Sequence, residues 1–238
     1  MFKLFLKMKT QSWTFLSGCA ISLLVAGAAS AQTTTNTFTQ TVGQTIPVST
    51  IPLSSTLNIS GVSGTISGLQ VNLDITGGFN GDLYCYLLDP ADNIAILLNR
   101  TGLTANNGFG YGDTGFNLTF SDGASNVHNY QAGGDYDLNP DGQLTGTWAP
   151  DGRNIDPQSD GSAFDDAPPT YDFSAFMGTI PDGNWELEVA NLASGDDAQA
   201  VLQSWTVTVF AVPEPQPWAL GVCGIAMLAA RRYFRRGK

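Results

Sequence analysis

The sequence predicts an all-β chain, an antiparallel sandwich or barrel, on three observations. Apolar residues alternate with polar neighbours in several segments, as half-buried strands require. Asx-Gly pairs, which tolerate the positive φ of tight turns, punctuate the chain between those segments. Between residues 32 and 212 no segment sustains the apolar period of 3.6 that a buried helix would show.

The alternation runs through Leu69, Val71, Leu73 and Ile75, then Leu83, Cys85 and Leu87, then Trp185, Leu187 and Val189, and finally Trp205, Val207 and Val209. Turn signals stand at Asn80-Gly81, Asn107-Gly108, Asp122-Gly123, Asp141-Gly142, Asp151-Gly152 and Asp182-Gly183. Residues 32–56 are rich in Thr, Ser and Gln with two Ile-Pro steps and read as a lead-in with room for an edge strand. Residues 154–169 are polar and read as a long loop.

Composition narrows the function. The chain of 238 residues is 42% hydrophobic and 13% charged, enough apolar content for a sizeable core and too much for a disordered chain. Of its ten basic residues, Lys3, Lys7 and Lys9 stand at one end and Arg231, Arg232, Arg235, Arg236 and Lys238 at the other. The body keeps Arg100 and Arg153 against an acidic total of 21, a balance of about −19 that repels phosphate backbones and argues against nucleic acid as a partner. Of the cysteines Cys19, Cys85 and Cys223, Cys85 alone falls in the body, so stability there comes from the core and not from a disulfide.

The two ends read as addresses. Residues 1–31 carry a basic start, the apolar run FLSGCAISLLVAGA and then Ala29, Ser30 and Ala31 before Gln32, the pattern of a signal helix cleaved ahead of Gln32. An uncleaved anchor would have a longer run, and a lipoprotein site at Cys19 would follow the apolar run instead of sitting within it. At the other end Val212, Pro213, Glu214 and Pro215 precede QPWALGVCGIAMLAA and then RRYFRRGK. A run of about a dozen apolar residues is marginal against the roughly twenty a bilayer needs, but the arginines behind it favour the cytoplasmic side.

This tail resembles the PEP-CTERM sorting signal of exopolysaccharide-producing Gram-negative bacteria, with a Pro-Glu-Pro motif, a short hydrophobic transmembrane helix and an Arg-rich end in that order. The resemblance implies export across the inner membrane, transient association with that membrane, processing by an exosortase near the motif, and delivery to the cell surface or medium. A plain membrane anchor is the competing reading. The chain then divides into a signal peptide at 1–31, the lead-in at 32–56, a β-domain at 57–211 and the sorting tail at 212–238.

The body has its own resemblance. Gly81-Asp82-Leu83, Phe120-Ser121-Asp122-Gly123-Ala124, Gly183-Asn184-Trp185-Glu186-Leu187-Glu188-Val189 and Ser204-Trp205-Thr206-Val207 follow the order of landmarks in the P domain (P/Homo B). That family stands behind the catalytic domain of subtilisin-like proprotein convertases and occurs in many secreted bacterial proteins. The likeness spans residues 57–210 and implies a jelly-roll-like antiparallel β-sandwich of the galactose-binding type. Thr76, Gly77 and Gly78 replace the family's His-Thr, and an Asp/Gly/Pro-rich stretch interrupts the segment between His128 and Ser174.

No enzyme is expected. His128 is the only histidine and sits in the polar stretch SNVHNYQAGG, where a solvated loop side chain is the expectation, and no G-x-S-x-G, H-E-x-x-H or C-x-x-C occurs. The acidic pairs at 165–166 and 196–197 read as solvated surface, and Cys85 as a buried structural thiol. Asp82, Asp113, Asp122 and Asp196 fall in turn-like contexts that suit a structural Ca²⁺, a cation that takes six to eight oxygens. Tyr84, Tyr86, Tyr111 and Tyr130 would make a sugar-stacking platform if exposed together, although burial of Tyr84 and Tyr86 inside the sandwich is the expectation. The readings carried forward are a non-catalytic module of the surface or polysaccharide matrix, a calcium-dependent carbohydrate or protein binder, and an accessory domain for a subtilisin-like protease.

Overall fold

The computed structural model describes residues 32–170, 172–192 and 199–213. Outside these lie the signal segment with Ala29 and Ala31, Asp196, and the tail from Glu214 and Pro215 through Arg231, Arg232, Arg235 and Arg236, together with both expected terminal helices. No helix among the described residues is long and apolar enough to cross a membrane.

Nine strands form the body: β1 (Thr34–Thr45), β2 (Leu53–Ile59), β3 (Thr65–Thr76), β4 (Leu83–Leu88), β5 (Ile94–Asn99), β6 (Gly115–Ser121), β7 (Leu144–Trp148), β8 (Gly183–Asn191) and β9 (Val201–Val212). They build an all-β sandwich of two sheets, one ordered β1-β9-β3-β6-β7 and the other β2-β8-β4-β5. Every pairing is antiparallel except β6 with β7, where Phe116 to Phe120 run alongside Leu144 to Trp148.

The alternation read from sequence is the alternation that fills the core. Val71, Leu73 and Ile75 of β3, Leu83, Cys85 and Leu87 of β4, Trp185, Leu187 and Val189 of β8, and Trp205, Val207 and Val209 of β9 are all fully buried between the sheets. Each buried aromatic removes a large apolar area from water, which is the main favourable term in folding. The indole nitrogens are accounted for: Trp185 Nε1 donates to the Pro181 carbonyl at 2.9 Å and Trp205 Nε1 to Ser55 Oγ at 2.9 Å.

Three expectations need correction. The domain does not start at residue 57: β1 pairs along β9 from Thr34↔Ala211 to Thr45↔Val201, and the 56/57 boundary cuts through β2. The edge strand for which the lead-in had room is β1, whereas β2 was hidden because it turns a serine, Ser55, inward to the Trp205 indole. The stretch 154–169 is not a plain loop, since α1 (Gly161–Asp166), capped by Asp160 through the Ala163 amide at 3.1 Å, buries Phe164. Nor are Tyr84 and Tyr86 enclosed within the sandwich: the alternation of β4 leaves both partly exposed on the outer face.

Of the six Asx-Gly pairs, those at Gly123, Gly142, Gly152 and Gly183 adopt positive φ, whereas Gly81 is needed for closeness. A Cβ there would run into the backbone of Phe109 and Gly110, which crosses directly above.

Ser55→Ala leaves the buried Trp205 N–H without an acceptor and is expected to lower the unfolding free energy by about 1–3 kcal/mol. Urea denaturation followed by tryptophan fluorescence checks it, and an unchanged midpoint would remove the bond from any account of stability.

Candidate functional site

One end of the sandwich gathers the turn after β3, the β5–β6 connection and the β6–β7 crossover. Asn80, fully buried in a 3₁₀ turn (Asn80–Asp82), joins them. Its Nδ2 donates to Tyr130 Oη at 3.1 Å, its Oδ1 accepts the Gly115 amide at 2.8 Å, and its carbonyl accepts Thr101 Oγ1 at 3.1 Å. Tyr130 Oη donates in turn to Asp113 Oδ2 at 2.6 Å, and Gln131 Nε2 donates to the same oxygen at 2.7 Å. Tyr111 packs edge-on against Tyr130 with centroids 4.6 Å apart. Burial, reinforced by the bond to Asp113, pushes the Tyr130 phenol far above its ordinary range. Beside this network lies a cleft of about 480 Å³ lined by Phe79, Asp82, Arg100, Phe109 and Tyr111.

The expectation for His128 is also corrected, for it is not solvated but 1% exposed. Its Nδ1 lies 2.7 Å from Asp151 Oδ2 and its Nε2 3.1 Å from the Leu103 carbonyl, while the ring stacks on Phe164. Asp151, with no exposed surface, also receives Arg153 Nη1 at 3.1 Å and the Asn99 amide at 3.2 Å. The arginine is fixed by its own Nε, which donates to the Phe164 carbonyl at 3.1 Å. Both ring nitrogens face acceptors of the protein, so this triad of His128, Asp151 and Arg153 pins α1 and the segment before it to the sandwich. Sequence spacing shows no sign of it, because His128 comes from the β6–β7 connection and Asp151 and Arg153 from the one after β7.

The three described aspartates among those weighed as cation ligands do not all converge. Asp82 and Asp113 share the loop cluster just described, where Asp82 Oδ1 lies 3.9 Å from Arg100 Nη2 and Asp113 is taken by Tyr130 and Gln131. Asp122 stands at the other end of β6, some seven residues or about 20 Å away. There it accepts the Phe173 amide at 2.8 Å, and burial raises its carboxyl above the usual range. Asp196 falls outside the described residues. Among the described residues no group of three or more His, Cys, Asp or Glu is arranged to hold a metal ion.

The four tyrosines also separate. Tyr111 and Tyr130 belong to the loop cluster, and Tyr130 is buried, whereas Tyr84 and Tyr86 lie on the outer face of β4 with ring centroids 5.5 Å apart. Burial first, then the neighbouring Tyr86, Cys85 and Asp156, pushes the Tyr84 phenol up to about 12. Tyr86 and Tyr111 are raised too, each by burial first. Burial likewise pushes the Cys85 thiol far up, consistent with a structural residue.

No family model matches the chain, and no curated protein does. Among solved structures, the crystal structure of the serine protease of Aeromonas sobria is similar at 17% identity and a TM-score of 0.42, covering 76% of this chain and 27% of that one. The complex of the Aeromonas sobria serine protease with its chaperone is similar at 17% identity and a TM-score of 0.42, covering 80% of this chain and 29% of that one. The chain thus spans less than a third of the length of the solved proteins it matches.

Asp151→Ala strands Arg153 and His128 in the interior and is expected to cost about 3–5 kcal/mol in urea unfolding. The raised phenols predict a second result. The neutral form is favoured in the folded state, so stability is complete below the ordinary phenol value of about 10 and falls as pH rises from there through about 12. Melting temperatures measured across that window are expected to decline steadily, and a flat profile would contradict the burial of these hydroxyls.

Proposed function

We propose that the chain is an exported, exosortase-sorted, non-catalytic β-sandwich module of the cell surface or extracellular polysaccharide matrix. The observation that carries this reading is the position of the sandwich between two processing segments. β1 begins at Thr34, two residues after Gln32, and β9 ends at Val212, the first residue of the Val-Pro-Glu-Pro motif. Cleavage ahead of Gln32 and behind the motif would remove no residue of either sheet. Pro213, which lacks an N–H, cannot extend the ladder further.

The absence of catalysis is supported by the way His128 is held, since a ring with both nitrogens engaged by Asp151 and Leu103 has none to offer a nucleophile. The charge of the body, with two arginines against its many carboxylates, favours neutral or cationic ligands over phosphates.

A second reading, an accessory P domain supporting a subtilisin-like protease, draws on the sequence landmarks. Asp82 ends the 3₁₀ turn from which Leu83 opens β4, Phe120 and Ser121 close β6, and Trp185 and Trp205 sit within β8 and β9. Copurification of the native chain with such a protease would favour that reading over a free-standing module.

The intact mass of the protein recovered from the surface or medium of its native cells tests the first reading. A mass running from Gln32 to the region of Pro213, Glu214 and Pro215 is expected, and replacing the motif by alanines is expected to leave the Arg-rich tail attached. A native mass that retains Arg231 to Arg236 would replace the exosortase reading with a plain anchor.

A further inference from the structure

The outer face of the β2-β8-β4-β5 sheet carries a groove of about 540 Å³. Its floor is formed by the outward residues of β4, Tyr84, Tyr86 and Leu88, and its walls include Pro52, Pro157 and Gln158. The two phenol rings are adjacent and tilted by 48°, and neither hydroxyl is bonded to another described residue. Strands fix both rings from below, since Tyr84 pairs with Ala190 and Asn99, and Tyr86 with Glu188 and Ile96.

Carboxylates surround these rings. Asp156 lines the groove, Glu188 stands directly across from Tyr86 on β8, and Glu186 across from Leu88. Glu188 is only 9% exposed, yet its carboxylate makes no hydrogen bond or ion pair among the described residues. A carboxylate on a largely covered residue with no ion partner is favoured by an arriving cation, and ring faces attract cations as well. No basic side chain of the body fills that role. Arg153 is held inside by Asp151 and Phe164, and Arg100 is turned to the Gly81 carbonyl, Asp82 and the Pro157 carbonyl.

We propose that this groove binds a glycan bearing free amino groups, a polyhexosamine chain, with sugar faces on Tyr84 and Tyr86 and ammonium groups toward Glu188, Glu186 and Asp156. An anionic polysaccharide is disfavoured by the same carboxylates and by the acidity of the whole body. The open floor of two neighbouring rings, with free phenol hydroxyls and the Gln158 amide at its rim, suits successive sugar rings better than the single closed pocket a lysine side chain would use. The site rests on the matrix reading for its choice of a polysaccharide.

The test is calorimetric titration of the purified full-length chain in mild detergent with three probes: hexaglucosamine, hexa-N-acetylglucosamine and pentalysine. Hexaglucosamine is expected to bind, the acetylated hexamer to bind at least about tenfold more weakly, and added salt to weaken the complex. Tyr86→Leu and Glu186→Gln, both on the partly exposed face, are each expected to cost about tenfold in affinity with the melting temperature retained. Absence of hexaglucosamine binding overturns the proposal, as does equal binding of the acetylated hexamer. Pentalysine binding as tightly as hexaglucosamine overturns it in favour of a cationic peptide. Binding of hexaglucosamine by a chain whose native form keeps its Arg-rich tail would sink the sorting reading and leave the groove standing.

Discussion

β9 is the strand on which the rest of the sandwich depends. It lies inside the larger sheet with β1 on one side and β3 on the other, paired over nearly its whole length with both. Its inward residues reach from Leu202 through Trp205, Val207 and Val209 to Ala211, all buried, and the Trp205 indole crosses the interior to Ser55 on the opposite sheet. The two longest pairings and a bond between the sheets therefore meet in a single segment near the end of the body. Strands so distant in sequence cannot pair until most of the chain has been brought together, so local structure alone cannot complete this fold.

The apolar interior also decides where polar chemistry is allowed. Between the sheets nearly every inward position is aliphatic or aromatic, so charged groups collect in loops and on outer faces. Where charge does go inside, in the contacts of His128, Asp151 and Arg153, it is matched by partners on each side and holds α1 in place. Arg153 thereby serves the interior, and Arg100 is spent on the backbone of two loops. The outer face of β4 and β8 is left with aromatic rings and carboxylates and no cation.

Much of the fold was legible in the residues. Strict alternation marked β3, β4, β8 and β9 because those strands have one face on the core. It faltered at Leu202 and Trp205, three apart and both buried, because a register shift around Gln203 reverses the parity there. β1 could be placed only as room for an edge strand, without bounds, because a strand made of threonine and glutamine needs only its backbone ladder, and β7 escaped notice because its short run places glycine and threonine outward. The site was less legible. Asp113 and Asp122 look equivalent as turn aspartates, yet a whole strand separates them. A polar setting made His128 look solvated, and only the return of Asp151 and Leu103 from elsewhere in the chain encloses it. Periodicity placed Tyr84 and Tyr86 together on one face of β4, but whether that face met solvent was decided by what the other sheet covers.

The pairing of Thr34 with Ala211 brings the chain's entry into the sandwich and its exit from it side by side at one pole. β9 reaches that pole after running about 40 Å from the opposite one, where Asn80, Asp113 and Tyr130 gather. A molecule with this wiring has an intrinsic up and down: held by either terminus, it stands in the same orientation, and the loop-rich pole is the one that meets whatever lies beyond.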